Sequence, residues 1–154
     1  MQTKILQIQQ AIAQSSPSTK IYLGSDSIAI NRRMVGGLFR IATVVVLHID
    51  GSKGCQVFSV KVDQKGTDHN LARPFNRMLA ETYETLAMFE KIKDFIGERD
   101  IQIHLDVNPD EQYGSNVAIQ AAAGLILGVT QIQPKVKPHA FAASCAADRF
   151  VRTA

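Results

Sequence analysis

Apolar residues Ile5, Ile8 and Ile12 recur at helical spacing between Thr3 and Gln14, and Ser15 to Lys20, with Pro17, breaks the pattern. The pattern predicts a short leading helix and a linker. Ile21 to Ile30, Phe39 to Ile49 and Cys55 to Val62 are rich in β-branched and aromatic residues. Turn-forming stretches, Asn31 to Gly37 and Asp50 to Gly54, separate them, so three strands joined by two hairpins are expected. A polar loop, Gln64 to Asn70, leads to a long helix over Arg73 to Ile96, with Phe75, Leu79, Leu86, Phe89, Ile92 and Ile96 on one broad face and Gly97 as a stop.

Ile101 to Val107 alternates apolar and polar positions and reads as a fourth strand. Asn108 to Ser115, with Pro109 and Gly114, reads as a loop, and Asn116 can cap a helix running to about Leu127. Gln131 to Lys137 is expected to be a short fifth strand, and Phe141 to Arg152 a last helix. Three strands in a meander followed by helix, strand, helix, strand, helix suit an α/β domain with a mixed five-stranded sheet and helices packed on it. The expected division is a leading helix and linker over 1–20 and one domain over 21–154.

A chain of 154 residues with 45% hydrophobic and 20% charged residues has the composition of one globular domain that folds without staples. Cys55 and Cys145 lie far apart and form no metal-knuckle or disulfide pattern, which fits a reducing compartment. The longest apolar run, Ala121 to Val129, is too short for a bilayer, and the first residues carry no export signal, so a cytoplasmic protein is expected. The net charge of +3 is mild. More telling is that basic residues collect at Arg32 and Arg33, Arg73 and Arg77, Lys135 and Lys137, and Arg149 and Arg152; the competing reading is an ordinary solvated surface.

Several acids fall where a carboxylate needs a reason. Asp26 lies within a strand that the hairpin order makes a candidate for the sheet centre, where an unpaired charge is costly; the alternative is an Asp bonded to backbone amides. Asp106 closes the fourth strand, and ligands of open α/β sheets gather at strand ends, although it could equally start the loop. Asp148 shares a helical stripe with Phe141, Ser144 and Cys145, but pairing with Arg152 in solvent competes with an inward position. Glu81 and Glu84 flank the apolar stripe of the long helix, and each alone reads as a solvated acid.

The four histidines show no zinc-binding spacing, Gly36-Gly37 reads as turn chemistry, and Ser144 lacks a nucleophile-elbow context. His-based metal chemistry and covalent hydrolysis therefore have little support.

What raises the odds of a site is the order of the acids: one in the first strand of a meander, one early in the next helix, one at the end of the fourth strand, one in the final helix. This order resembles the RNase H-like superfamily. Leu23-Gly24-Ser25-Asp26-Ser27, His104-Leu105-Asp106-Val107 and the long segment Val136 to Phe150, with Lys137-Pro138-His139 and Ala143-Ser144, are similar to the YkuK-type family within it. The likeness runs from about Ile21 to Arg152. His139 departs from the pattern, standing where that family commonly has an acid.

The resemblance implies a divalent-metal-dependent nuclease. Its ligands would be Asp26, Glu81, Asp106 and Asp148, holding two Mg²⁺ or Mn²⁺ ions that activate water and stabilise the leaving oxygen. Asp26 would bridge, Asp106 and Glu81 would each complete one metal, and Asp148 would be the looser ligand. Lys137, Arg149 and Arg152 would meet phosphates of a nucleic acid partner. Glu84 and His139 are auxiliary candidates. The alternatives are a nucleic-acid-binding module with little catalysis and an interaction domain without metal.

Overall fold

The computed structural model describes residues 2–107 and 115–153. Helix α1, Gln2–Gln14, precedes strands β1, Lys20–Asn31, β2, Leu38–His48, and β3, Cys55–Lys65. A one-turn helix α2, Gly66–His69, leads into α3, Pro74–Ile96, then β4, Ile101–His104, and α4, Ser115–Thr130. The chain ends in a π-helical stretch, Ala142–Ala147, continued by α5, Asp148–Arg152.

The sheet order is β3-β2-β1-β4, with β1 antiparallel to β2 and parallel to β4. The hairpins form as their turn residues predict. β1 is an inner strand; Asp26 pairs with Ala42 of β2 and lies two residues past Gly24, where the pairing with β4 ends. β2 reads as an almost continuous apolar run because both of its faces are covered.

Residue parity sorts the layers. Ile21 and Leu23 of β1, Val45 and Leu47 of β2 and Ile103 of β4 face one side, where they form the main core with α1, α3 and α4 through Ile8, Ile12, Leu86, Phe89, Ile92 and Ile126. Val44 faces the other side, with Tyr22, Ala142, Ala147 and Phe150 of the terminal helix. The leading helix is thus part of the main core through Ile8 and Ile12, both fully buried.

The sheet has four strands, not the five expected. Where Gln131 to Lys137 was expected to be a strand, a single parallel bridge joins Lys135 to His104. Lys135 N donates to Ile103 O at 2.8 Å and Leu105 N to Lys135 O at 2.9 Å. Pro134 has no N–H and Pro138 follows closely, so the pairing cannot lengthen into a ladder.

The fourth strand is also shorter than expected. It ends at His104, and a tight turn in which Val107 N donates to Leu105 O at 2.9 Å carries Asp106 beyond the sheet. The expected polar loop after β3 is partly strand and partly α2. On α3 the apolar face is shifted: Phe75 is exposed and Leu79 half-buried, while Thr82 and Thr85 are buried. The expected loop at 108–114 lies outside the described residues, and Asn116, expected as a cap, falls inside α4, which already includes Ser115. Among the described residues no helix is long and apolar enough to cross a membrane.

Candidate functional site

Consecutive strand residues face opposite ways, and the motif Gly24-Ser25-Asp26-Ser27 uses both faces of β1. Ser25 and Ser27 point to α3. Ser25 Oγ lies 2.8 Å from Thr43 Oγ1 and 2.7 Å from Thr85 Oγ1, and Ser27 Oγ donates to Glu81 Oε1 at 2.5 Å. Gly24 and Asp26 point to the terminal helix. A Cβ on Gly24 would come 2.8 Å from Ala143 N, so only glycine admits that helix so closely.

The terminal helix is held from a second side by His104, which is buried on β4 opposite Gly24. Ala142 N donates to His104 Nδ1 at 3.0 Å, and the ring lies 5.0 Å from Phe141 and 5.5 Å from Tyr22 between centroids. Burial and the charge of Lys135 push this imidazole down to about 4, so it is neutral at physiological pH and can accept that bond. Two residues after His104, Asp106 continues the same parity, on the face of Asp26, while Leu105 and Val107 enter the main core.

Asp26, Asp106 and Asp148 therefore lie toward one face of the sheet, near enough for the latter two to perturb Asp26, and Glu81 lies in the layer behind it. Their electrostatics register the proximity. Asp26 is pushed up to about 6, first by burial, against the pull of the Ser27 backbone N–H, and then by the charges of Asp106 and Asp148. Glu81 is half-buried as a residue, yet protein crowds its carboxylate; desolvation, with smaller contributions from Asp26 and Asp106, pushes it up to about 8. Ser27 and Arg77 pull it back in part.

Bases hold two of these acids. Lys137 Nζ lies 2.8 Å from Asp106 Oδ1, close enough for an ion pair, although this buried oxygen receives no hydrogen bond in good geometry. Arg152 Nε donates to Asp148 Oδ1 at 2.7 Å, the pairing that the sequence left as an alternative. Asp148 thus both pairs with Arg152 and raises Asp26. As they stand, no three His, Cys, Asp or Glu side chains among the described residues are gathered tightly enough to hold an ion.

The donor set nevertheless fits a hard divalent cation. All four groups are oxygen ligands, and Asp26 and Glu81 are pushed well above their ordinary range, chiefly by burial and further by neighbouring carboxylates.

The remaining candidates lie apart. Glu84 accepts from Gln64 Nε2 at 3.0 Å in a cavity of about 490 Å³ with Tyr83 and Leu79, and none of the four acids perturbs it. His139 and Arg149 are exposed, with the His139 backbone N–H donating to Val136 O at 2.8 Å. What the sequence reading missed is the hydroxyl network under Glu81. Its signal was there: serines at alternate strand positions, Thr43 inside an apolar strand, and Thr85 on the inward side of a helix.

The family model described as Ribonuclease H-like matches residues 3–152, nearly the whole chain. No curated protein and no solved structure matches the sequence.

Proposed function

The chain belongs to the Ribonuclease H-like family, and from that premise we propose that it is a nuclease that hydrolyses phosphodiester bonds with Mg²⁺ or Mn²⁺ held by Asp26, Asp106, Asp148 and Glu81. The observation that carries this reading is the state of Asp26: a half-buried carboxyl pushed up to about 6, with two more carboxylates acting on it and no basic partner among the described residues. Such a group is relieved by a proton or by a cation. Bound divalent metal would supply an activated water and charge stabilisation at the leaving oxygen.

The protein's own residues prepare that chemistry. Asp26 offers oxygens from the central strand, Asp106 from the end of β4 and Asp148 from the terminal helix, whose seat is fixed by Gly24 and His104. Ser27 orients Glu81 by donating to its Oε1. Lys137 and Arg152 neutralise Asp106 and Asp148 as the acids stand; cation binding would release both bases toward the phosphates of a substrate strand, with exposed Arg149 beside them.

The test is incubation of wild type and Asp26→Asn with labelled RNA, single-stranded DNA, duplex DNA and an RNA/DNA hybrid in Mg²⁺, Mn²⁺ or EDTA. Wild type should cleave at least one substrate in metal alone. The variant should lose cleavage while its metal-free melting temperature stays level or rises, because a repelling charge is gone. A variant that cleaves at the wild-type rate per folded molecule would overturn the assignment.

A second reading, a binding module that keeps the acids without cleaving, is favoured by the ion pairs at Asp106 and Asp148. Binding that persists in EDTA, with no cleavage of any substrate in Mn²⁺, would select it.

A further inference from the structure

The turn between β1 and β2 and the start of α3 enclose a cavity of about 480 Å³, with Arg32 and Arg77 on its wall and Ala29, Phe39 and Ala72 among its apolar lining. We infer that this cavity binds a phosphodiester of a nucleic acid strand, outside the position where the acids act, with Arg32 and Arg77 as its ligands. The inference rests on the nuclease reading for its choice of strand, and on the cavity for its place.

Three other arginines are engaged, Arg40 with Asp63 at 2.7 Å, Arg152 with Asp148, and Arg99 with Ser15 Oγ at 2.9 Å, while Arg149 is exposed beside the acids. Arg32, Arg33, Arg73 and Arg77 instead make no ion pair with a carboxylate among the described residues; the nearest approach is the electrostatic pull of Arg77 on Glu81. Arg32, Arg33 and Arg73 thus have no carboxylate partner among the described residues and Arg77 faces only Glu81; two of the four share one concavity, which suits polyanion binding, and the guanidinium fork matches a phosphate.

The walls are fixed. Gly37 N donates to Met34 O at 2.8 Å and Gly66 N to Gly37 O at 2.8 Å. A Cβ on Gly66 would fall 1.7 Å from Gly36 O, so the turn lies directly against the backbone that opens α2. Phe39 and Leu71 are buried in a small cluster with Ala80 beside it. The turn backbone is thus a fixed wall, and Arg32 extends from it as an exposed side chain.

Arg77 precedes Glu81 by four residues on α3, about 6 Å along the axis and on the same side. An anion at Arg77 is therefore a neighbour of the acids and distinct from the one they would hold. Beyond it the turn presents Val35, 89% exposed, and Met34, apolar groups against which an unstacked base or sugar can rest.

The experiment measures binding in EDTA, where no cleavage occurs, so its result does not depend on the metal reading. Fluorescence anisotropy of labelled single-stranded and duplex oligonucleotides across a salt series would compare wild type, Arg32→Gln/Arg77→Gln and Arg32→Glu. The control is Lys53→Ala, which removes an exposed lysine at the opposite end of the sheet. The double variant should bind about tenfold more weakly or worse at low salt. Its slope of log affinity against log salt should fall by about 1.4 for a single strand or about 1.8 for a duplex, the loss of two phosphate contacts.

Arg32→Glu, on an exposed turn, should show the same direction and keeps the question answerable if Arg77→Gln fails to fold. Unchanged affinity and slope in the folded variants would overturn the site. Inorganic phosphate or a mononucleotide saturating the cavity in an arginine-dependent way, with no oligonucleotide binding, would overturn the assignment to a strand. Binding without cleavage, lost in the variants, would keep this site and count against the nuclease reading alone.

Discussion

Ser27 Oγ on β1 donates to Glu81 Oε1 on α3 at 2.5 Å, while Asp26, the residue before it, faces the opposite side of the sheet. One strand thereby serves two layers, a hydroxyl for the acid behind and a carboxylate for the acids in front. Ser27→Ala should push the Glu81 carboxyl above its already raised value of about 8, since the hydroxyl is what draws it down. Stability should fall by about 1 to 3 kcal/mol for the buried acceptor left unmet. Carbon-detected NMR titration of Glu81 is the check, and a midpoint unchanged by the mutation would show that the bond carries no electrostatic weight.

Glu81 also sets a pH dependence. Folded, it keeps its proton up to about pH 8, whereas unfolded it releases it near 4.5, so between those values the folded state binds more protons and loses stability as pH rises. His104, pushed down to about 4, acts oppositely below about pH 6.5, where the unfolded chain gains a proton that the folded chain refuses. Above that point only the raised acids remain. Metal-free protein should therefore lose stability from pH 6.5 to 8, and Glu81→Gln should flatten that decline. Denaturant midpoints across this range in EDTA would settle it, a wild-type curve rising with pH being the contrary result.

Gly24→Ala should destabilise the protein by about 1 to 3 kcal/mol, because the new methyl meets Ala143 N at 2.8 Å and the terminal helix must shift. Amide shifts over 141–152 should move with it. A variant as stable as wild type, with those shifts in place, would mean the helix does not rest on that position.

In the main core, Leu86→Ala should cost about 2 to 5 kcal/mol. Phe75→Ala, on a residue 40% exposed at the start of the same helix, should stay within about 0.5 kcal/mol. Equal losses from the two would show that the apolar face of α3 begins a turn earlier than described.

The comparison of the two residues shows where the sequence was legible. The meander, the long helix and β4 rest on periodicities of two and 3.6, which are strong over many residues. Phe75 fits the helical stripe of α3 but precedes the point where the helix meets the sheet, and spacing alone cannot mark that point. Gln131 to Lys137 has strand composition, yet Pro134 breaks its hydrogen bonding, so one bridge forms in place of a strand. Ala142–Ala147 is too uniform for any period to announce its π geometry.

At the site, the order of acids was visible in the sequence and the electrostatic meeting of Asp26 with Asp106 and Asp148 is consistent with it. That Glu81 arrives from the layer behind, and that Lys137 and Arg152 rest on the acids, depends on side-chain direction. Residue order does not encode that directly.

The single bridge at Lys135 also decides where this sheet can grow. Lys135 turns its amide and carbonyl toward β4, so by alternation Pro134 and Val136 face outward. Pro134 has no hydrogen to offer, and the Val136 carbonyl is already taken by His139. That margin has too few open groups to template another chain. The opposite margin, β3, has no strand beyond it among the described residues and relies on the charges of Lys61, Asp63 and Lys65 to discourage a partner. Any strand exchange or aggregation of this protein would begin there, leaving the carboxylates at the other side of the sheet undisturbed.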